Sequence, residues 1–220
     1  MSEMAKKLIE AVIFDMDGVI FDSENLYITC DVEIADKLHM EGIVEACYRT
    51  IGVTRERTRE ILTDIYQDEV LVDRFMTETS SLFRQKCREG LLKTKPGVRE
   101  LLSFLKKRGY KTAIASSTAT DIVEAELSEA GIRPCFDQIV GGDQVKRSKP
   151  DPDIFLKAAE LLETAPEHCA VIEDSFNGIR ASRAAGMTAI MVPDLLQPDE
   201  EIRALADFVL PSLAEVQQVF

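Results

Sequence analysis

The first residues with chemical potential are Asp15 and Asp17, two carboxylates at the end of the apolar run Ala11-Val12-Ile13-Phe14 and just ahead of Gly18. A buried charge is expensive unless a metal or an opposite charge answers it. Acids placed where a core strand stops therefore point to function. Alternation along a strand sends both side chains to one side. Two such acids with a turn glycine make half of a divalent-metal site. Two other readings compete. Asp15, Asp17, Gly18, Ile20 and Glu24 fall on positions 3, 5, 6, 8 and 12 of a calcium EF-hand loop. Position 1 would then be Ile13, which has no ligand oxygen, and a strand precedes the loop where a helix is needed. The plainer alternative is a turn whose Asp and Gly serve the backbone.

Hydrophobic periodicity indicates the elements around this stretch. A strand is expected over 8–14. Leu26, Cys30, Ile34 and Leu38 then recur every four residues, one face of an amphipathic helix that Gly42 could stop. Further helices are expected near 44–50, over 55–66 with Thr54 as cap, and over 68–89 ended by Gly90. After Pro96-Gly97 the rhythm changes. Helices at 98–108, 119–130, 152–163 and 176–185 alternate with strands at 111–116, 136–141, 169–173 and 188–192. A helix at 199–206, a short strand at 208–210 and a helix at 212–219 finish the chain. Alternating strands and helices predict an α/β fold, a Rossmann-like parallel sheet core interrupted by an all-helical insertion. The expected division is 1–22 and 93–220 for the core and 23–92 for the insertion.

Parallel sheets place their sites at the carboxyl ends of strands. The other strand ends carry suitable groups: Ser116-Ser117-Thr118, Lys149-Pro150 and Glu173-Asp174. Each also has a structural reading. Ser116 could cap the helix that follows it, and Asp174 or Ser175 could cap the helix from 176. Lys149 could be a solvated loop lysine.

Composition narrows the function. The 220 residues are 45% hydrophobic and 30% charged, as in an ordinary globular protein, with a formal net charge of −13. That charge argues against nucleic acid or an anionic membrane as partner, since both need basic surface. Five scattered cysteines without Cys-x-x-Cys spacing suit a reducing cytoplasm, and only two histidines make zinc an unsuitable metal. Lys6 and Lys7 precede only a short apolar run, which is not the pattern of a secretory signal.

Asp15-x-Asp17-Gly18-Val19-Ile20-x-Asp22-Ser23-Glu24 after a hydrophobic strand resembles motif I of the haloacid dehalogenase superfamily, in particular its phosphatase and β-phosphoglucomutase branch. Ser116, Lys149 in Lys149-Pro150-Asp151-Pro152 and Glu173-Asp174-Ser175 resemble its other three motifs, in family order. The resemblance implies Mg2+ held by Asp15, Asp17 and Asp174, with Glu173 a direct or outer-shell ligand. It makes Asp15 the nucleophile, Asp17 the general acid/base, Ser116 and Lys149 the phosphoryl-binding groups, and the insertion a mobile cap. Ser117 and Thr118 would help bind substrate, as would Glu24, Tyr27 and Arg55 of the insertion. Gly52-Val53-Thr54-Arg55-Glu56 is similar to the mutase segment whose Arg meets a second phosphate. The early cap histidine that restrains the general acid in mutases is here Tyr27, which favours a phosphatase. The expectation is a cytoplasmic Mg2+-dependent phosphatase of a small phosphorylated metabolite, with a sugar phosphate as the expected substrate, acting as a monomer or weak dimer. A phosphomutase is the alternative, and a non-catalytic phosphate-binding regulator a third reading. A dehalogenase is disfavoured, because it needs no metal while Asp17 and Asp174 are both present.

Overall fold

A computed structural model describes residues 8–50 and 55–220. The chain divides into two compact units, Met1–Phe21 with Thr94–Phe220, and Asp22–Lys93.

The first unit is built on six parallel strands: β1 (Ala11–Phe14), β2 (Lys111–Ala115), β3 (Gln138–Val140), β4 (Cys169–Glu173), β5 (Thr188–Met191) and β6 (Phe208–Val209), in spatial order 3-2-1-4-5-6. Parallel strands need crossovers, and helices supply them. The chain runs outward from β1 through β2 to β3, then returns so that β4 lies on the other side of β1. The sheet order reverses there, which opens a crevice beyond the carboxyl ends of β1 and β4. The register aligns those ends: Phe14 lies opposite both Ile114 and Ile172. Asp15 continues the ladder by donating its N–H to the Ile172 carbonyl at 3.0 Å.

Every residue of β1 is buried, as expected for a strand covered on both faces. Ala11 and Ile13 face a cluster with Ala115 and Val171 that packs against Phe155 and Ala158. Phe14 points to the other face, edge-on to Phe136 with centroids 5.8 Å apart. The helices of this unit are α5 (Val98–Arg108), α6 (Thr120–Glu129), α7 (Asp153–Leu161), α8 (Phe176–Ala184), α9 (Glu200–Leu205) and α10 (Leu213–Val216). The last is shorter than its periodicity suggests and passes into a 3-10 turn, Gln217–Val219. Similar 3-10 turns at Arg133–Cys135, Gly142–Gln144 and Pro166–His168 were not anticipated; three residues are too few to show a period.

The second unit contains α1 (Ser23–Leu38), α2 (Ile43–Tyr48), α3 (Arg55–Tyr66) and α4 (Glu69–Arg88) around its own core of Ile34, Leu62, Val72 and Phe75. Asp68 caps α4 by accepting from Leu71 N at 2.9 Å. Gly42 does not end α1. The stop is His39, in the left-handed region at φ 58, where Met40 N reaches back to the Ala35 carbonyl at 2.9 Å. Gly42, at φ 72, precedes α2 instead. The expected Thr54 cap lies outside the described residues. Among the described residues no helix is long and apolar enough to cross a membrane.

Phe155 is fully buried beneath the sheet, so Phe155→Ala leaves a cavity. Urea denaturation is expected to show a loss of ~3–5 kcal/mol; a change under ~1 kcal/mol would mean that α7 collapses into the gap.

Candidate active site

The site is assembled from four loops at the carboxyl edge of the sheet. In the first, Asp15-Met16-Asp17-Gly18 turns back on itself. The Met16 carbonyl accepts from Ile20 N at 2.8 Å and Phe21 N at 3.0 Å, and Gly18 N donates to the Phe21 carbonyl at 3.0 Å. Met16, Val19, Ile20 and Phe21 are buried, so apolar packing holds the turn while its acids stay at the edge.

Lys149 is the centre. Its ammonium donates to Asp15 Oδ1 at 2.5 Å, Glu173 Oε1 at 2.7 Å and the Ala115 carbonyl at 3.1 Å, which uses all three of its protons. It also lies over the Phe155 ring, 5.0 Å from the centroid, close enough for a cation–π contact. The side chain is only 7% exposed, which removes the solvated-loop reading. Burial by itself would lower its pKa; the Asp15 and Glu173 carboxylates outweigh that and hold it above the usual lysine value.

Glu173 is fully buried at the end of β4. Its other oxygen, Oε2, accepts from Ser175 N at 2.8 Å and Ser175 Oγ at 2.9 Å. Ser175 in turn caps α8, its Oγ accepting from Gly178 N at 3.0 Å. Gly178 is required by this arrangement. A Cβ there would lie 1.8 Å from Glu173 Oε1. Asp174 imposes the same demand on the first loop: a Cβ on Gly18 would lie 2.2 Å from Asp174 Oδ2. Gly18 also sits at φ 75, so two constraints select glycine.

Ser116 does not cap α6. It is fully buried and its Oγ accepts from Thr118 N at 3.0 Å, which leaves its proton to donate. The α6 N-terminus is held from a distant loop, where Asp143 Oδ1 accepts from Thr120 N at 2.8 Å and Thr120 Oγ1 at 2.7 Å. Thr118 Oγ1 donates to Asp17 Oδ2 at 3.1 Å, so this residue holds the second acid. Ser117 is exposed on the same loop.

Four carboxylates thus share this edge with one ammonium. Carboxylate oxygens of Asp15, Glu173 and Asp174 lie within 4.8 Å of one another. Burial pushes the Asp15 carboxyl up to about 7; Lys149 opposes the rise, and Glu173 and Asp17 add to it. An all-oxygen donor set with excess negative charge fits a hard divalent cation such as Mg2+.

Arg55, Tyr27 and Glu24 belong to the helical unit, where all three line one cavity of about 280 Å³. Tyr27 OH and Ser80 Oγ are 2.9 Å apart, and Arg55 Nη1 donates to Ser80 Oγ at 3.3 Å. The same cavity includes Asp31, Cys47 and Thr79, which sequence reasoning passed over. Asp31 follows Tyr27 by four residues, one helical turn, and that spacing was the available signal.

The family profile described as haloacid dehalogenase-like hydrolase matches residues 12–192. A phosphorylated carbohydrates phosphatase from Thermotoga maritima is 36% identical over 181 residues, 82% of this chain and 83% of that protein. The β-phosphoglucomutase of Bacillus subtilis is 33% identical over 219 residues, 94% of each chain. A crystal structure from Thermotoga maritima, described provisionally as a β-phosphoglucomutase, superposes with a TM-score of 0.79 at 32% identity and covers 96% of this chain and 98% of that one.

Gly178→Ala is expected to keep α8, because alanine is the better helix former by ~1 kcal/mol, while displacing the Glu173 carboxylate. Far-UV circular dichroism should be unchanged and kcat/KM for a phosphate ester should fall by at least ~10-fold, or ~1.4 kcal/mol. Full activity would show that Glu173 has room to move.

Proposed function

The chain belongs to the haloacid dehalogenase-like hydrolases, and on that premise we propose that it hydrolyses a small phosphate monoester, a sugar phosphate or a related metabolite, through an aspartyl phosphate on Asp15. The observation that carries this reading is the buried Lys149 ammonium joining Asp15 to Glu173, with Asp174 beside them.

A phosphate monoester is a dianion, so a carboxylate nucleophile repels it unless positive charge intervenes. Lys149 supplies one such charge. Asp15, Asp174 and the Asp17 backbone carbonyl are the groups assigned to Mg2+, which hydrolases of this family generally use. When bound, the ion neutralises phosphoryl oxygens. Glu173 is then best assigned to orienting Lys149, since its two oxygens serve the lysine and Ser175. Ser116, with its proton available, donates to a phosphoryl oxygen.

The steps follow from these positions. An Asp15 oxygen attacks phosphorus as the ester P–O bond breaks. Asp17, held by Thr118, gives its proton to the departing alkoxide. Asp17 then takes a proton from water, whose oxygen attacks phosphorus and releases Asp15 with inorganic phosphate. Five free cysteines suit a reducing, cytoplasmic setting.

A phosphomutase is the second reading, supported by the likeness to the Bacillus subtilis enzyme. Against it, Tyr27 replaces the expected histidine, and its hydroxyl is engaged with Ser80. Release of inorganic phosphate from β-glucose 1-phosphate separates the two, since a mutase would form glucose 6-phosphate under a bisphosphate primer.

Asp15→Asn is expected to abolish turnover and to leave no phosphoenzyme. Lys149→Met should lower kcat by ~100-fold or more. Chelation should stop hydrolysis, and added Mg2+ should restore it. Unchanged hydrolysis by Asp15→Asn in a clean preparation would refute the assignment.

A further inference from the structure

Within the first unit, the connection from β3 to α7 meets the β2–α6 loop at three successive places. Ser116 N donates to the Val140 carbonyl at 3.1 Å, and Gly142 N donates to the Thr118 carbonyl at 2.9 Å. Asp143 Oδ1 then accepts from both Thr120 N and Thr120 Oγ1. Gln144 Nε2 donates to Thr120 Oγ1 at 2.9 Å and to the Ile139 carbonyl at 3.3 Å. The pairing of β2 with β3 is thus carried past the strand ends. The loops lie in direct contact. A Cβ on Gly142 would lie 2.3 Å from the Ser117 carbonyl oxygen, and one on Gly141 would lie 2.4 Å from Thr120 N. Thr118, clamped in the middle of this seam, is the residue whose hydroxyl holds Asp17.

Helix capping alone does not account for Asp143. Ala119, at the start of α6, offers no side-chain acceptor. A capping side chain serves the N–H of the second or third helical residue. The third here, Ile122 N, already reaches the Ala119 carbonyl at 3.1 Å and Asp121 Oδ1 at 2.9 Å. Asp143 takes the first N–H and a side-chain hydroxyl, and the hydroxyl has no part in the helix ladder. These two donors hold the Asp143 carboxyl below the usual carboxylate range.

We propose that Asp143 is a positioning residue for the general acid: by fixing Thr120 it fixes the Thr118 hydroxyl, and with it the Asp17 carboxyl. The inference deepens the phosphatase reading and rests on it for the role of Asp17. A proton donor has to lie within hydrogen-bond reach of the oxygen it serves. A displacement of ~1 Å costs ~100-fold in rate. Thr118 can direct Asp17 only as firmly as its own loop is held. The same connection runs on to Lys149, which meets Asp15, so one segment sets the place of both acids.

The test uses the full chain as wild type, Asp143→Ala, Asp143→Asn, Ala119→Ser and the double variant Ala119→Ser with Asp143→Ala. Two esters of similar shape are compared. p-Nitrophenolate departs readily without a proton, whereas phenolate, the stronger base, needs one. The ratio of kcat/KM for phenyl phosphate to that for p-nitrophenyl phosphate is expected to fall at least ~10-fold in Asp143→Ala, part of the ~100- to 10,000-fold that proton transfer contributes. Asp143→Asn, which keeps the accepting oxygen, is expected to retain most of the ratio. Ala119→Ser supplies a local cap, so the double variant should regain the melting temperature and keep the low ratio. Amide hydrogen exchange at Gly142 is expected to quicken at least ~10-fold in Asp143→Ala. An unchanged ratio, an equal fall in Asp143→Asn, a ratio restored together with the melting temperature, or unchanged exchange at Gly142 would overturn the inference, while hydrolysis by the wild type would leave the phosphatase reading standing. Faster exchange with no hydrolysis of any ester would sustain the tie between the loops and defeat that reading instead.

Discussion

One ammonium group, on Lys149, organises the edge of the sheet. It lies between Asp15, which directly follows β1, and Glu173, the last residue of the neighbouring β4. Removing one member of a buried pair strands the other, at a cost of ~3–5 kcal/mol. The loop that carries Lys149 is thereby tied to two strand ends and, through the Ala115 carbonyl, to a third. In the proposed reaction the charge that satisfies these acids would also serve a phosphoryl group, because both need a fixed cation at one place.

Bringing so many carboxylates together requires backbone without side chains. Gly18 admits Asp174, and Gly178 admits Glu173. Neither glycine touches the chemistry. Each sets how near its carboxylate can come to the neighbouring loop. Ser175 completes the arrangement by capping α8 and holding Glu173 at once, so one hydroxyl serves both the helix start and the buried carboxylate.

The helical unit has a different economy. Its core is apolar, apart from a wall where Asp31, Thr79 and Cys47 meet. A polar group in such a place lowers stability, and sites of recognition are where that tendency is tolerated. The Tyr27–Ser80–Arg55 chain fixes two further polar side chains on the same cavity.

The alternation of strands and helices, the helical insertion after β1 and the four strand-end motifs were legible along the chain, because hydrophobic period and local spacing are properties of neighbours in sequence. Asp15, Lys149 and Glu173 could be picked out as residues, but their contact spans 134 positions for one pair and 24 for the other, and only the sheet order 3-2-1-4-5-6 brings them together. The true cap of α6, the stop of α1 at His39 and the burial of Asp31 were hidden for a related reason. Asp143 reaches Thr120 from 23 residues away, His39 adopts a conformation that glycine would have advertised, and Asp31 is an ordinary polar residue until α4 and Cys47 enclose it. Sequence determines which groups exist and the local elements that bear them; the distances and the burial that give those groups their chemistry are set by packing between segments far apart in the chain.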